Sequence, residues 1–313
     1  MRVLLIGAGE MGSRHLQGLA ALPAGSSVAV LDPREQARAV ALERWRQMPG
    51  HDAVPLRFLE QGEGWDGFDA AILATGAGGR LDLLRRVLEA GIRTVLAEKV
   101  LFQSVAEYRE ATVMAAAVRA DVRAHVPLRH VPVLQRLRAY TLGRRFSLTV
   151  EAGDRGLGCN GIHFLDLFQY MGGLPPVSVE ASLDRPLQVN RRDPALVEFT
   201  GMLTASNAEG ATVAIRFSPG HEKLAVLTVE VEGRRTVIDQ AGPVESDIAG
   251  LARLGFAMPM ASRMAAGILA GIAEGSSPLP DLAEGFETNR LMLAAYNRDI
   301  AGRHADDLLC PVT

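Results

Sequence analysis

Cysteine is scarce in this sequence: Cys159 and Cys310 are the two present in 313 residues. They form neither a disulfide framework nor metal-type spacing, so a reducing cytoplasm is the expected compartment. Excess charge is also lacking. A net charge of −3 gives no electrostatic case for nucleic acid or an anionic membrane as partner. No apolar run is long enough to span a bilayer; "MAAGILAGIA" is interrupted by glycine and ends at Glu274. The opening "MRVLLIGAGEMG" lacks the longer apolar core and cleavage site of a signal peptide. There is no internal repeat and no low-complexity tract. What is there is 48% hydrophobic and 22% charged, enough for a large core, with a length that suggests two domains.

The first part alternates strand and helix patterns. "RVLLIG", "SVAVLD", "AVPLRF", "DAAILAT", "RTVLAEK" and "DVRAHV" read as strands, the third weakened by Pro55. Helices are expected over 11–22, 33–48, 81–90 and 105–118. Such alternation predicts right-handed βαβ units and an open parallel sheet. Beyond that come a helix over 131–142, the strand "RFSLTVEAG" and the apolar helix in "GLGCNGIHFLDLFQYMGG". Strand-like runs follow at 177–183, 196–205, 210–218 and 224–239, the last a hairpin turning at Glu232-Gly233. Helices are expected over 246–274 and 282–302. The predicted fold class is α/β: a doubly wound Rossmann domain over 1–122 and an α+β domain over 123–313 with a mostly antiparallel open sheet. The terminal helix is free to pack back on the first domain.

Gly7, Gly9 and Gly12 stand in G-x-G-x-x-G spacing directly after a strand and at the start of a helix. In that context the turn Gly7, Ala8, Gly9, Glu10, Met11 and Gly12 reads as a pyrophosphate cradle of a dinucleotide site. Asp32, 20 residues beyond Gly12, is placed to accept from the adenosine ribose, which favours NAD. Arg34 points the other way, since it can pair with the 2′-phosphate of NADP. FAD is a lesser option on the same fingerprint. Thr75 and Gly76, after the fourth strand, let the nicotinamide half pass close to the backbone, or form an ordinary βα turn.

Glu98 and Lys99 end the fifth strand, where ligands of doubly wound sheets bind. An ammonium there stabilises a developing alkoxide and lowers a hydroxyl pKa; the alternative is a solvated lysine paired with Glu98. His163 and Asp166, three apart, share a helix face, with the histidine placed at the first turn. Alone they read as a satisfied core histidine and a helix-pairing acid. No third ligand of suitable spacing supports a metal.

Together these residues resemble the Gfo/Idh/MocA family, whose names come from glucose–fructose oxidoreductase, inositol dehydrogenase and the rhizopine-catabolism proteins. "GAGEMGSRH" is similar to its glycine turn with a following histidine, here His15. "AEKV" resembles its Glu-Lys-Pro signature with Val100 in place of proline. "HVPLRHVP" resembles a segment whose arginine is Arg129, and "GIHFLDLFQYMGG" the Gly-x-His-x-x-Asp helix of the second domain. The resemblance implies a Rossmann domain plus an α/β domain whose open sheet makes a homodimer or homotetramer. It implies Lys99 and His163 as the catalytic pair, and Asp166 as orienting the imidazole or touching substrate. Arg129, Arg155 and Asn160 then become candidates for substrate contact, the arginines suiting carboxylate or phosphate. The sequence departs from the family at Cys159, where an aspartate commonly stands four residues before the histidine. A Cys-Asn version resembles a subgroup of bacterial surface-polysaccharide pathways.

The expected activity is therefore NAD- or NADP-dependent hydride transfer to or from a sugar, cyclitol or derivative. The alternatives are a dinucleotide-binding regulatory or catalytically impaired protein, and an imine or lactam-type reductase.

Overall fold

The computed structural model describes residues 1–312 apart from 61, 154–155, 191–193 and 221–223. In chain order the first elements are β1 (Arg2–Ile6), α1 (Glu10–Leu19), β2 (Ser27–Leu31), α2 (Glu35–Arg46), β3 (Leu56–Phe58), β4 (Ala70–Leu73), α3 (Arg80–Glu89), β5 (Thr94–Ala97), α4 (Val105–Ala117) and β6 (Asp121–Ala124). Then come α5 (Pro132–Thr141), β7 (Phe146–Ala152), α6 (Leu157–Gly172), β8 (Pro176–Leu183), β9 (Gln188–Val189), β10 (Val197–Glu198), β11 (Gly201–Asn207), β12 (Thr212–Phe217), β13 (Val226–Val231), β14 (Arg234–Asp239), β15 (Val244–Ser246), α7 (Ala261–Ala273) and α8 (Leu282–Ala301).

The chain divides into two compact units. The first takes Met1–Phe102, Glu107–His125 and Pro259–Ala283; the second takes Gln103–Ala106, Val126–Met258 and Glu284–Thr313. The first unit holds a parallel sheet in the order β3-β2-β1-β4-β5-β6. β1 and β4 are its central pair, with Val3 opposite Ala70 and Ile6 opposite Leu73. Apart from the exposed Arg2 that opens β1, their side chains are buried, which is why Val3–Ile6 and Ala70–Leu73 read as unbroken apolar runs. Strand order reverses between β1 and β4, and that switch point is where an open α/β sheet takes its ligand.

A single cut at 122 does not describe this unit, because the segment Pro259–Ala283 returns to it. The returning helix is α7 rather than the terminal α8. α7 lies so close to α1 that a side chain at Gly18 would strike the backbone of Ala261 and the methyl of Ala265. Leu16, Leu19, Ile268, Leu269 and Ile272 close the core there.

The second unit has a seven-stranded sheet in the order β15-β14-β13-β7-β12-β11-β8. Only β7 and β12 pair in parallel; the other neighbours are antiparallel. Leu148, Val150, Leu203, Ile215, Leu227 and Val229 are buried, and α6 packs on β11 and β12. The alternate positions include Thr149, Glu151, Thr204, Ser206 and Arg216, which are exposed or half-buried. The hairpin β13–β14 turns at Glu232 and Gly233, both at positive φ, as a two-residue turn between right-twisted strands requires.

Several expected elements differ. The strand anticipated over 196–205 is two pieces, split where Gly201 takes φ +128 and packs against the backbone of Ser182. The helix anticipated over 246–274 is α7 alone. Of its expected first half, Ser246 ends β15 and Ala252–Leu254 make one tight turn, ended by Gly255 at φ +61. α6 begins at Leu157, so His163 lies in its second turn, not its first. No helix among the described residues is long and apolar enough to cross a membrane.

Candidate functional site

The glycine turn is built for close approach. Gly7 has φ +93, and its amide donates to Leu31 O at 2.8 Å, tying the turn to β2. A side chain at Gly12 would strike the carbonyl of Gly7, so α1 can start against β1 only with glycine there. Gly9 caps α1 without a side-chain acceptor, so no capping side chain occupies the first-turn amides. That cradle suits an anion, and the residues fit a dinucleotide pyrophosphate.

Asp32 sits beneath the turn and is almost wholly buried. Its Oδ2 accepts from Ala8 N at 2.7 Å and from Arg34 Nη2 at 2.9 Å; its Oδ1 accepts from Arg34 N at 2.9 Å and Arg34 Nε at 3.1 Å. Burial alone would raise its pKa, but the bonds from Arg34 and Ala8 outweigh that and lower it. The carboxylate thus already holds the phosphate turn in place. The exposed Arg34 guanidinium stands over Gly9, and Arg38 Nη1 donates to Asp32 O at 3.0 Å. Thr75 is half-buried and Gly76 exposed, on the loop after β4.

β5 stops at Ala97, so Glu98 and Lys99 lie just past its carboxyl end. Glu98 points inward. Its Oε1 accepts from His15 Nε2 and from His125 Nδ1, both at 2.7 Å, with all three side chains buried. Burial would raise the Glu98 pKa, yet the His125 charge and the two imidazole bonds hold it well below the usual carboxylate range. Burial lowers the pKa of His15, against the bond from Glu98.

These three side chains are close enough, with ligand atoms within 4.8 Å, to be weighed as a cation site. Their 2.7 Å separations are hydrogen-bond lengths. The outer nitrogens, His15 Nδ1 and His125 Nε2, are buried with no hydrogen-bond partner. A metal-bound imidazole normally donates that nitrogen to a second group, so the cluster is a hydrogen-bonded triad.

Lys99 itself is half-buried, and the Lys99–Val100 peptide is cis. The backbone around it is gripped by Arg80, a residue the sequence reading passed over. Arg80 Nη1 donates to Glu98 O at 2.6 Å, to Leu101 O at 2.9 Å and to Val100 O, while Nη2 donates to Thr75 O. Burial lowers the Arg80 pKa to about 10, against the pull of Glu98 and Glu107.

In the second unit, α6 carries Asn160, His163 and Asp166. Its first turn is capped by Glu198, which accepts from Gly158 N at 2.6 Å and Cys159 N at 3.3 Å. Asn160 Nδ2 lies 3.0 Å from both Gly156 O and Cys159 Sγ. His163 is half-buried. Asp166 is buried, and both its oxygens accept from Arg129, at 2.9 and 2.7 Å. Arg129 Nη1 also donates to Glu284 Oε1 at 2.6 Å. Burial would weaken the Arg129 cation, but the Asp166 and Glu284 charges raise its pKa. Arg129 and Asp166 are thus spent on each other across α6 and the turn before α5. Arg155 lies outside the described residues.

Glu198 is the second residue the sequence reading missed: 40 and 39 positions separate it from the amides it caps, and no local pattern marks it. His125 was visible only as part of "HVPLRH".

No curated protein matches the chain. Among solved structures, a myo-inositol dehydrogenase from Corynebacterium glutamicum is 18% identical over 97% of each chain, with TM-score 0.69. The WlbA dehydrogenase from Bordetella pertussis, in complex with NADH and UDP-GlcNAcA, is 18% identical over 96% of each chain, with TM-score 0.70. An oxidoreductase from Agrobacterium radiobacter, in complex with NAD+, L-tartaric acid and magnesium, is 16% identical over 98% of each chain, with TM-score 0.70. At these identities the likeness is one of fold. Residues 1–126 match the model of the Gfo/Idh/MocA oxidoreductase family, described as an NAD-binding Rossmann fold. With the glycine cradle, the buried Asp32 and the strand order of the sheet, this match makes residues 1–126 an NAD-binding Rossmann domain of the kind found in those oxidoreductases.

Proposed function

We propose that the protein exchanges a hydride between NAD(H) and a CH–OH group of a sugar, cyclitol or sugar derivative. The observation that carries this reading is Lys99. It is the only lysine among the described residues; the sequence holds just one other, Lys223, and its remaining basic side chains are arginines and seven histidines. An ammonium can shed and regain a proton near a reacting oxygen, whereas a guanidinium stays charged. This lysine stands past the carboxyl end of β5, the edge of the sheet at which doubly wound folds bind their ligands. The named activities of the inositol and WlbA dehydrogenases support a polyol or sugar-derived substrate.

When bound, the nicotinamide supplies the hydride donor or acceptor. Lys99 donates a hydrogen bond to the substrate oxygen and stabilises its alkoxide character. His163 carries the proton to and from that oxygen. Asn160 contacts substrate. Arg129 and Asp166, expected from resemblance to touch substrate, serve in this reading to hold α6 and the histidine on it. Arg34 and Arg38 leave room for NADP beside NAD. A cytoplasmic homo-oligomer acting in a surface-polysaccharide pathway completes the reading, and sedimentation measures the oligomer.

The test is reduction of NAD with myo-inositol, and with UDP-GlcNAcA, followed by absorbance. Lys99→Met should cost about 10²–10⁴-fold in turnover while NADH affinity holds. A fully active Lys99→Met enzyme would sink the mechanism. A second reading is a dinucleotide-sensing protein. It is motivated by Cys159 and Asn160, which bond to each other at the first turn of α6 and offer no carboxylate there. NADH binding with no turnover across a broad panel of polyols and nucleotide sugars would favour it.

A further inference from the structure

We propose that Arg80 is the positioning residue for Lys99, and that its guanidinium couples the lysine to the cofactor-side turn at Thr75. This rests on the role given to Lys99 above.

Arg80 opens α3, and 1% of it is exposed. Among the described residues, every hydrogen bond it makes goes to a backbone carbonyl and none goes to a carboxylate. Its Nε is buried without an acceptor. A buried cation without an ion pair costs stability, and an apolar side chain of similar length would fill the same space more favourably. The compensating gain lies in what the carbonyls belong to. Glu98, Val100 and Leu101 bracket Lys99 on both sides, and all three converge on Nη1.

The fourth carbonyl, Thr75, belongs to the other loop at the same edge of the sheet and is taken by Nη2. A guanidinium is planar and its donors point in fixed directions. One fork therefore sets the separation between the Thr75 turn and the backbone that bears Lys99. The Glu98 side chain is held independently by His15 and His125. The residue before the lysine is thus fixed through both main chain and side chain, and the flexible lysine stem starts from a defined point. A cofactor that settles on the Thr75–Gly76 turn pushes on Lys99 through Arg80.

Lysine acylation tests this without a known substrate, since the sequence offers only two lysine sites. The full-length protein is treated with a water-soluble acetyl ester, with and without saturating NADH, and the peptides bearing Lys99 and Lys223 are compared by mass spectrometry. In the wild-type protein, NADH should slow acylation of Lys99 relative to Lys223. In Arg80→Lys and Arg80→Met this protection should be lost, although both variants still bind NADH and melt cooperatively. With a productive substrate, kcat should fall about 10²-fold, as expected for a reacting group displaced by about 1 Å, with little change in KM for NADH.

Unchanged acylation and protection in both variants would overturn the role of Arg80 and leave that of Lys99 standing. Absence of NADH protection in the wild-type protein would remove both. Should neither variant fold, amide exchange on the wild-type protein decides. NADH must then protect residues 75–80 and 98–102 together, and protection confined to 75–80 overturns the coupling.

Discussion

Each unit buries an ion cluster, and the two are answered differently. In the first, the Glu98 carboxylate faces two imidazoles, His15 and His125. In the second, the Asp166 carboxylate faces the Arg129 guanidinium, which Glu284 also engages. Both clusters lie beside a proposed catalytic residue: Glu98 precedes Lys99, and Asp166 is one turn beyond His163. The guanidinium pair is insensitive to pH near neutrality, because arginine does not titrate there. The imidazole cluster is not, because it contains His15, whose pKa burial lowers from 6.5. The difference teaches that one unit is held by a permanent charge and the other by a cluster in which the charge of His15 follows the medium.

Removing the permanent charge should do the most damage. Arg129→Met leaves Asp166 buried and unpaired, and denaturant unfolding should show the second unit weakened by about 3–5 kcal/mol. A loss under 1 kcal/mol would mean that Asp166 simply takes up a proton, and the contrast between the clusters would fail. Glu98→Gln keeps the shape and removes the charge; about 1–3 kcal/mol should be lost from the first unit.

The sharper test is pH. The folded pKa of His15 is below its ordinary 6.5, so folding favours the neutral ring. That contribution is present above pH 6.5 and is lost as pH falls toward the depressed value. Glu98, also lowered, contributes above its ordinary value of 4.5 and loses it only as pH falls through its lower folded value. Stability of the first unit, followed by amide exchange in β5 and β6, should therefore decline from about pH 6.5 downward. His15→Phe should shift the onset of that decline to lower pH.

The smallest effect concerns a third buried carboxylate, Asp32, whose arginine is exposed rather than buried. Arg34→Ala should weaken NADP binding about tenfold, or about 1.4 kcal/mol, and leave NAD nearly unchanged. Equal losses for both cofactors would mean that Arg34 serves only to hold Asp32.

Much of the first unit was legible because its signals are local. The glycine spacing, the apolar strand runs and the acid ending β2 lie within about one βαβ length of each other. The hairpin at Glu232-Gly233 was legible for the same reason. What escaped depends on distance along the chain. Nothing near Arg80 marks it as buried, since "GGRLDLLRR" reads as an ordinary charged helix start. Nothing near Leu157 announces a cap supplied by Glu198, so the start of α6 was placed too late. The helix expected from 246 failed because apolar residues at helical spacing outweighed two glycines and Pro259. Arg129 matched a family pattern, but its partners Asp166 and Glu284, 37 and 155 residues away, decide what it does.

The close seat that Gly18 makes for α7 has a bearing on biosynthesis. The nucleotide-binding half is not finished when its six strands have emerged. Leu16 and Leu19 wait for Ile268, Leu269 and Ile272, which reach the tunnel exit only after nearly the whole of the other half has been translated. A fragment cut after residue 126 would carry an open apolar seam where that late segment belongs. A nascent chain stalled before Pro259 should look to chaperones like an unfinished one.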